Sequence, residues 1–303
     1  MKKVVSQDFW AAGKLLIFGE YLVLENVDCW AIPLKYGQSL SVKESNNDFH
    51  TWKSYEDGDL WFQMQFTKEL EIIKNSDVHI ANKTISLLKW MKERNHELFH
   101  PFFNFETQSN FPFKWGLGSS STLISLLAQW SGLNPYKMLK DSFGGSGYDI
   151  ACATAQTPIL FNRKTQKTKA VSLAPQIADR LLFVYSGQKQ NSQSEVTKFK
   201  QKKIEMQSLQ EMNEIVNQSL KTENIQRFEE LMEQSENLLS KTLNKEPIKK
   251  QFPDYPHAIK SLGAWGGDFF MATFENETDA RDYFKQKGYL IQFTYSELIK
   301  QKI

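Results

Sequence analysis

Six residues, Gly116-Leu117-Gly118-Ser119-Ser120-Ser121, run straight into an apolar helical stretch, STLISLLAQWSGL (121–133), and this join constrains the chain more than any other feature. Leu123, Leu126, Leu127 and Trp130 recur on one side of that helix, so it needs a core to lie on. Glycines let a backbone approach a ligand without side chains in the way. The first turn of a helix supplies free N–H groups and a positive dipole end, and serine hydroxyls add hydrogen bonds and can ligate a divalent cation. That chemistry suits phosphate. It is not the Walker pattern, because no Gly-Lys-Ser/Thr follows at the required spacing. A glycine turn with a serine cap accounts for the same residues, and the segment alone does not choose between the two.

A second glycine stretch, Gly144-Gly145-Ser146-Gly147, leads into Tyr148-Asp149, and a third, Gly263-Ala264-Trp265-Gly266-Gly267-Asp268, precedes a strand-like run. An acid directly after a flexible loop can face a bound substrate and take a hydroxyl proton. Asp149 as a helix N-cap is the plainer reading of that segment, and a tight loop of small residues is the plainer reading of the third. Lys14 follows Gly13 just ahead of an apolar strand, where a lone lysine is ordinarily a surface charge.

The 303 residues include 37 Lys and Arg against 35 Asp and Glu, a formal charge of +2, with 41% hydrophobic and 24% charged residues. This ordinary globular composition excludes a disordered tail, a collagen and a disulfide scaffold. The absence of a basic excess argues against a nucleic-acid partner. The length fits one large domain or two of roughly 150 residues. Cys29 and Cys152 lack metal-ligand spacing and read as two reduced thiols, bridged only if the fold brings them together. The five histidines are scattered without a ligand-spaced pair. No run approaches a membrane span, and the apolar stretch behind the basic start is too short for a signal peptide. A soluble, cytoplasmic protein with no membrane partner is therefore expected.

Periodicity predicts mixed strand and helix in the first half. KLLIFGEYLVL (14–24) reads as two strands meeting at Gly19, and 30–45 as further strand with Pro33 at an edge or start. Residues 77–95 read as an amphipathic helix capped by Asp77, 102–115 as strand leading to a loop, and Asn134-Pro135 as the opening of a short helix. In the second half LLFVYSG (181–187) reads as a buried strand and 194–243 as two antiparallel helices that break near Thr222. Strand 268–274, helix 278–288 and strand 289–295 close the chain. There is no internal repeat, and Ile204, Leu209, Met212, Val216 and Leu220 do not hold a heptad. The strand-rich half gives way to a helix-rich one near 175–180.

In their order and contexts these stretches resemble the GHMP kinases, small-molecule kinases that include galactokinase, homoserine kinase, mevalonate kinase and phosphomevalonate kinase. The resemblance is carried by AAGKLLIFGEYLVL (11–24), KWGLGSSSTLISLLA (114–128) and LGAWGGDFFMATF (262–274), and it spans nearly the whole chain. Gly19-Glu20-Tyr21, Lys114 before the GLGSS run, Gly145-Ser146-Gly147-Tyr148-Asp149, the Gly-Gly-Asp ending of the third stretch and LLFVYSGQKQNSQSEV (181–196) look like the phosphomevalonate kinase branch. Mevalonate kinases usually carry a histidine where Tyr21 stands and a Mg²⁺-binding glutamate where Met138 stands.

The resemblance implies an α+β two-domain GHMP kinase fold. An N-terminal ATP-binding domain, 1–177, would be α/β of the ribosomal S5 domain 2-like type, and a C-terminal domain, 178–303, would be ferredoxin-like, with ATP in the cleft between them. It implies that Lys114, Gly116, Leu117, Gly118, Ser119, Ser120 and Ser121 bind ATP and that Ser120 ligates Mg²⁺. Lys14 and Asp149 would be the catalytic pair. Glu20, Gly147, Lys189, Ser192, Gly263, Ala264, Trp265 and Gly266 would bind the acceptor, with Lys114, Lys189 and Ser192 suited to an acceptor phosphate. Phosphoryl transfer rests on positioning and charge stabilisation, which a lysine beside an aspartate supplies. An acceptor that is itself a phosphate needs no base, and Asp149 would then orient and balance charge.

Three residues depart from the family pattern. Trp265 replaces a glycine in the third stretch, where a large ring blocks backbone approach and offers instead a wall for the acceptor pocket. Ala12 stands in place of a proline, and Met138 leaves Mg²⁺ to Ser120, phosphate oxygens and water. The leading expectation is an ATP-dependent kinase acting on phosphomevalonate. The alternatives are a mevalonate kinase, a diphosphomevalonate decarboxylase, or a non-catalytic nucleotide- or metabolite-binding protein of the same fold. Trp265 speaks for the last, and Lys14, Ser120 and Asp149 together speak against it. The helical hairpin of 194–243 suits either a lid or the surface of a homodimer.

Overall fold

The computed structural model describes residues 6–188, 192–265 and 267–299. Strands β1 (Ser6–Phe18) and β2 (Cys29–Ser45) are long and paired to one another. Between them the chain takes positive φ at Gly19 and Tyr21, then closes a 3-10 turn over Leu22–Glu25. The second strand expected within 14–24 is thus a helical turn. Leu22, Val23 and Leu24 are all buried, and an unbroken buried run carries no period that separates strand from helix.

Strands β3 (His50–Glu56), β4 (Asp59–Phe66) and β5 (Ile72–Asn75) precede helix α1 (Val78–Lys92). Asp77 caps α1 as its sequence predicts, its carboxylate accepting the N–H groups of His79 and Ile80 at 2.9 and 3.0 Å. Strand β6 (Phe102–Ser109) is followed by α2 (Ser119–Ser131), which starts two residues before the expected position, and by α3 (Pro135–Ser142). Asn134 caps α3, accepting from Lys137 N at 3.0 Å. Next come α4 (Tyr148–Thr154), β7 (Ile159–Asn162), β8 (Lys167–Ala170), α5 (Pro175–Ala178) and β9 (Leu181–Tyr185), the last wholly buried as expected.

The stretch expected as two helices holds three: α6 (Ser192–Phe199), α7 (Met206–Ser219) and α8 (Ile225–Leu243). The α7–α8 break is capped by Asn224, which accepts from Arg227 N at 2.8 Å, while Thr222 Oγ1 accepts from Asn224 N at 3.2 Å and steadies the cap. Strands β10 (Ile259–Ser261) and β11 (Phe269–Thr273), helix α9 (Glu277–Gln286), strand β12 (Gln292–Thr294) and a last turn, α10 (Tyr295–Leu298), complete the chain. Among the described residues no helix is long and apolar enough to cross a membrane.

The chain packs as two compact units that interleave along the sequence. The first holds the residues up to Gly13, Tyr36–Phe113 and Gly118–Gly144, and the second holds Lys14–Lys35, Lys114–Leu117 and the chain from Gly145 onward. In the first unit the strands lie in the order β5-β4-β3-β6-β2, with β3 and β6 parallel and the other pairs antiparallel. Helix α2 docks on this sheet through Trp130, whose ring meets Phe105 edge-on at 5.1 Å and Phe99 at 5.6 Å. In the second unit β7 and then β8 border β2. A separate antiparallel sheet there, β10-β11-β9-β12, buries Val184, Phe252, Phe270 and Phe284 in one apolar cluster.

His50 sits in the core of the first unit, stacked on Phe66 at 4.9 Å and ringed by Phe99, Phe102, Phe103 and Phe105. Its Nδ1 accepts the Phe103 N–H at 3.0 Å, which fixes a neutral ring with the proton on Nε2. Burial holds its pKa down at about 4 from an ordinary 6.5. The unfolded ring binds its proton first, so the stability present above pH 6.5 is lost as pH falls toward 4. His50→Gln keeps an acceptor for the amide and removes the titration. Its urea midpoint should fall less than wild type between pH 7 and pH 4.5, and an unchanged acid limb would contradict the assignment.

Candidate functional site

The second unit brings Lys14, the loop 114–117 and Asp149 together. Lys14 lies on β1, and its backbone N–H donates to Leu117 O at 3.0 Å. Its ammonium donates to Gly116 O at 3.3 Å, pairs with Asp149 Oδ1 at 3.6 Å and lies 5.7 Å from the centre of the Tyr148 ring. The two charged side chains are 13% and 19% exposed, so the pair is shielded yet open to a ligand. Asp149 is not the N-cap of α4. Gly147 holds that position, and no side chain among the described residues caps the helix. The carboxylate is thereby left for Lys14, at the start of a helix whose dipole favours negative charge.

The loop itself is held at several points within that unit. Tyr185 donates its hydroxyl to Lys114 O at 3.0 Å, while the Lys114 side chain is exposed. Gly116 takes φ of +69°. A Cβ added to it would overlap the carboxylate carbon and both oxygens of Asp268, so only glycine fits both the conformation and the space. The Tyr185 phenol pKa is raised by burial and then by the charge of Asp268.

In the first unit, α2 begins at Gly118, which takes φ of +95° and provides no side-chain cap. Thr122 N bonds Gly118 O at 3.0 Å, and Thr122 Oγ1 is occupied by Gln38 Oε1 and Ser119 O at 2.7 and 2.9 Å. Ser119 and Ser121 are half-buried and Ser120 is exposed. The orphan N–H groups of this first turn therefore fit an anion. For Mg²⁺ the protein supplies little: among the described residues no group of three or more His, Cys, Asp or Glu could hold a metal, and Met138 is fully buried. Ser120 fits a Mg²⁺ whose other ligands are phosphate oxygens and waters.

The acceptor residues read from the sequence scatter in accessibility. Glu20 is fully buried, its Oε1 paired with Lys260 Nζ. Burial raises its pKa to about 7 against the opposing pull of Lys260. Lys260 also donates to Ser261 O at 3.0 Å and lies 5.2 Å from the centre of the Phe18 ring. Glu236, also buried, accepts from Ile248 N, Ser261 N and Ser261 Oγ at 3.0, 3.0 and 2.9 Å. Trp265 is 1% exposed with φ of +50°. Its ring packs inward and offers no wall to a pocket, so that expectation is corrected. Ala264 O accepts from Tyr21 Oη at 2.8 Å and Trp265 O from Lys245 Nζ at 3.2 Å. Gly263 and Ala264 are partly exposed, Ser192 opens α6, and Lys189 and Gly266 lie outside the described residues.

Sequence reasoning missed Lys260, Glu236 and Asp268. Lys260 had one faint signal, a lysine inside the apolar run AIKSL just before the third glycine stretch. Asp268 was visible as the end of the Gly-Gly-Asp triplet but had no role. The two cysteines are buried and unbridged, and burial pushes both thiols up, which leaves them unreactive.

No family model matches the sequence, and no curated protein matches it. Solved structures do. Mevalonate kinase from Methanococcus jannaschii superposes with a TM-score of 0.70 at 17% identity, covering 96% of this chain and 98% of that one. Phosphomevalonate kinase from Streptococcus pneumoniae, bound to phosphomevalonate and AMPPNP, gives 0.69 at 20% identity over 96% and 99%. Galactokinase from Lactococcus lactis, complexed with galactose, gives 0.67 at 14% identity over 97% and 93%. The chain therefore has the α+β fold of the GHMP kinases.

Proposed function

We propose that the protein is an ATP-dependent small-molecule phosphotransferase that uses Lys14 and Asp149 as its reacting pair and phosphomevalonate as its acceptor. The single observation that carries this reading is the Lys14–Asp149 ion pair at 3.6 Å, anchored by Lys14 to both loop carbonyls, Gly116 O and Leu117 O. A lysine so held meets a transferring phosphoryl group without reorganising. Asp149 keeps its ammonium oriented and takes the proton from an acceptor hydroxyl, or balances charge when the acceptor is itself a phosphate. The free N–H groups at the start of α2, with Ser119 and Ser121, hold phosphate oxygens. Mg²⁺, held through Ser120, would neutralise charge on those oxygens. On this reading residues 1–177 are the ATP-binding domain and 178–303 the C-terminal domain.

The choice of acceptor rests on Tyr21, Gly145–Asp149 and the Gly-Gly-Asp ending, and a phosphomevalonate kinase is among the structures that share the fold. The chain incubated with Mg-ATP should release ADP only when an acceptor is present, and faster with mevalonate 5-phosphate than with mevalonate. Preference for the unphosphorylated alcohol would move the assignment to mevalonate kinase. Release of CO₂ would move it to a decarboxylase, and binding without turnover to a non-catalytic binding protein.

A further inference from the structure

We propose that Asp268 is a positioning residue for the nucleotide loop, its carboxylate being the floor on which Gly116 is seated. The inference rests on the phosphotransferase reading and adds a residue to it. Asp268 is itself fixed from two sides: its N–H donates to Gln188 O and its carbonyl accepts from Ser186 N, each at 2.7 Å. It is 8% exposed and takes φ of +53°, an uncommon conformation for a residue with a side chain. The space beyond the Gly116 Cα is filled by its carboxylate group.

Gly116 is thus held from two directions. The ammonium of Lys14 draws its carbonyl, at 3.3 Å, while Asp268 stops its Cα. Tyr185 secures the residue two positions earlier through Lys114 O, and the Lys14 N–H secures the residue after it through Leu117 O. A loop fixed at three of its four residues has one height, and phosphate contacts made by backbone N–H groups depend on that height to a fraction of an ångström. The third glycine stretch therefore acts on the first by contact, with no need for Asp268 to touch the nucleotide.

The contact predicts a reciprocal pair of substitutions. Calorimetric binding of Mg-AMPPNP to the full chain measures it, with thermal melting read in parallel. Gly116→Ala should weaken binding by about tenfold or more, because the new methyl meets the carboxylate. Adding Asp268→Gly removes the obstacle and should recover about threefold or more of that loss, a coupling that independent sites lack. Asp268→Gly alone should weaken binding by about threefold, and Asp268→Asn, which keeps the shape, should bind within about twofold of wild type. Should Gly116→Ala not fold, the two single substitutions at Asp268 decide. Losses that multiply independently, an Asn variant as weak as the Gly variant, or melting shifts with unchanged binding would each overturn the positioning role. A wild-type chain that binds no nucleotide would remove the phosphotransferase reading as well.

Discussion

Replacing Asp149 by asparagine is expected to slow acceptor-dependent ADP release by about 10²–10³-fold, through the loss of charge balance and of the anchor for Lys14. The variant keeps the size of the side chain and loses its charge and basicity. Lys14 then loses the anion it faces, and the Gly116 carbonyl at 3.3 Å and the Tyr148 ring still hold its ammonium. With an alcohol acceptor the proton also has nowhere to go. Stability should change by only about 1–2 kcal/mol, because the pair is partly open to solvent and the backbone contacts of Lys14 remain. The expected signature is a large fall in kcat with a melting temperature close to wild type. A variant that turns over at half the wild-type rate would remove Asp149 from the reaction.

Replacing Lys260 by methionine should be the most costly single change to the fold. Lys260 and Glu20 are both fully buried and paired, and Glu20 Oε2 has no hydrogen-bond partner among the described residues. Removing the ammonium leaves a buried carboxylate without its cation, a loss of about 3–5 kcal/mol. For a chain of this size the melting temperature should drop by on the order of 10 °C. The sign of the pH dependence follows from Glu20, whose pKa is raised to about 7 from an ordinary 4.5. The folded state holds that proton more tightly, so the contribution of Glu20 to stability is present below pH 4.5 and lost as pH rises through 7. Without Lys260 that penalty grows. The deficit of the methionine variant should therefore be larger at pH 8 than at pH 5, and adding Glu20→Gln should recover at least half of it. Equal deficits at both pH values would argue that packing, not charge, accounts for the loss.

Features that depend on local chemistry were legible in the chain. Asp77 and Asn134 cap their helices because a short acceptor before an apolar period leaves few other options, and Gly118 to Ser121 open α2 because glycine and serine favour helix starts. Where side chains were all buried, the pattern carried no period: Leu22, Val23 and Leu24 form a helical turn that looked like strand. The break between α6 and α7 falls at 200–205, a stretch that is polar except for Ile204 and whose Lys, Gln and Glu tolerate helix and loop alike. Long-range partners were not legible. Lys260 meets Glu20 across 240 residues of sequence, and no local rule links a lysine in a short strand to a glutamate after a distant glycine. Trp265 shows the same limit from the other side. Its size suggested a pocket wall, but only the surrounding packing determines that the ring turns inward. Asp149 read most simply as a cap, and the glycine before it had already taken that position.

The most direct measurement follows the terminal phosphoryl group itself. ATP labelled in its γ-phosphate, incubated with the chain, Mg²⁺ and mevalonate 5-phosphate, should yield label in the acceptor at one equivalent per ADP formed, with the Asp149→Asn variant yielding almost none over the same time. Label recovered as inorganic phosphate, or left entirely in ATP while nucleotide is bound, would contradict the account.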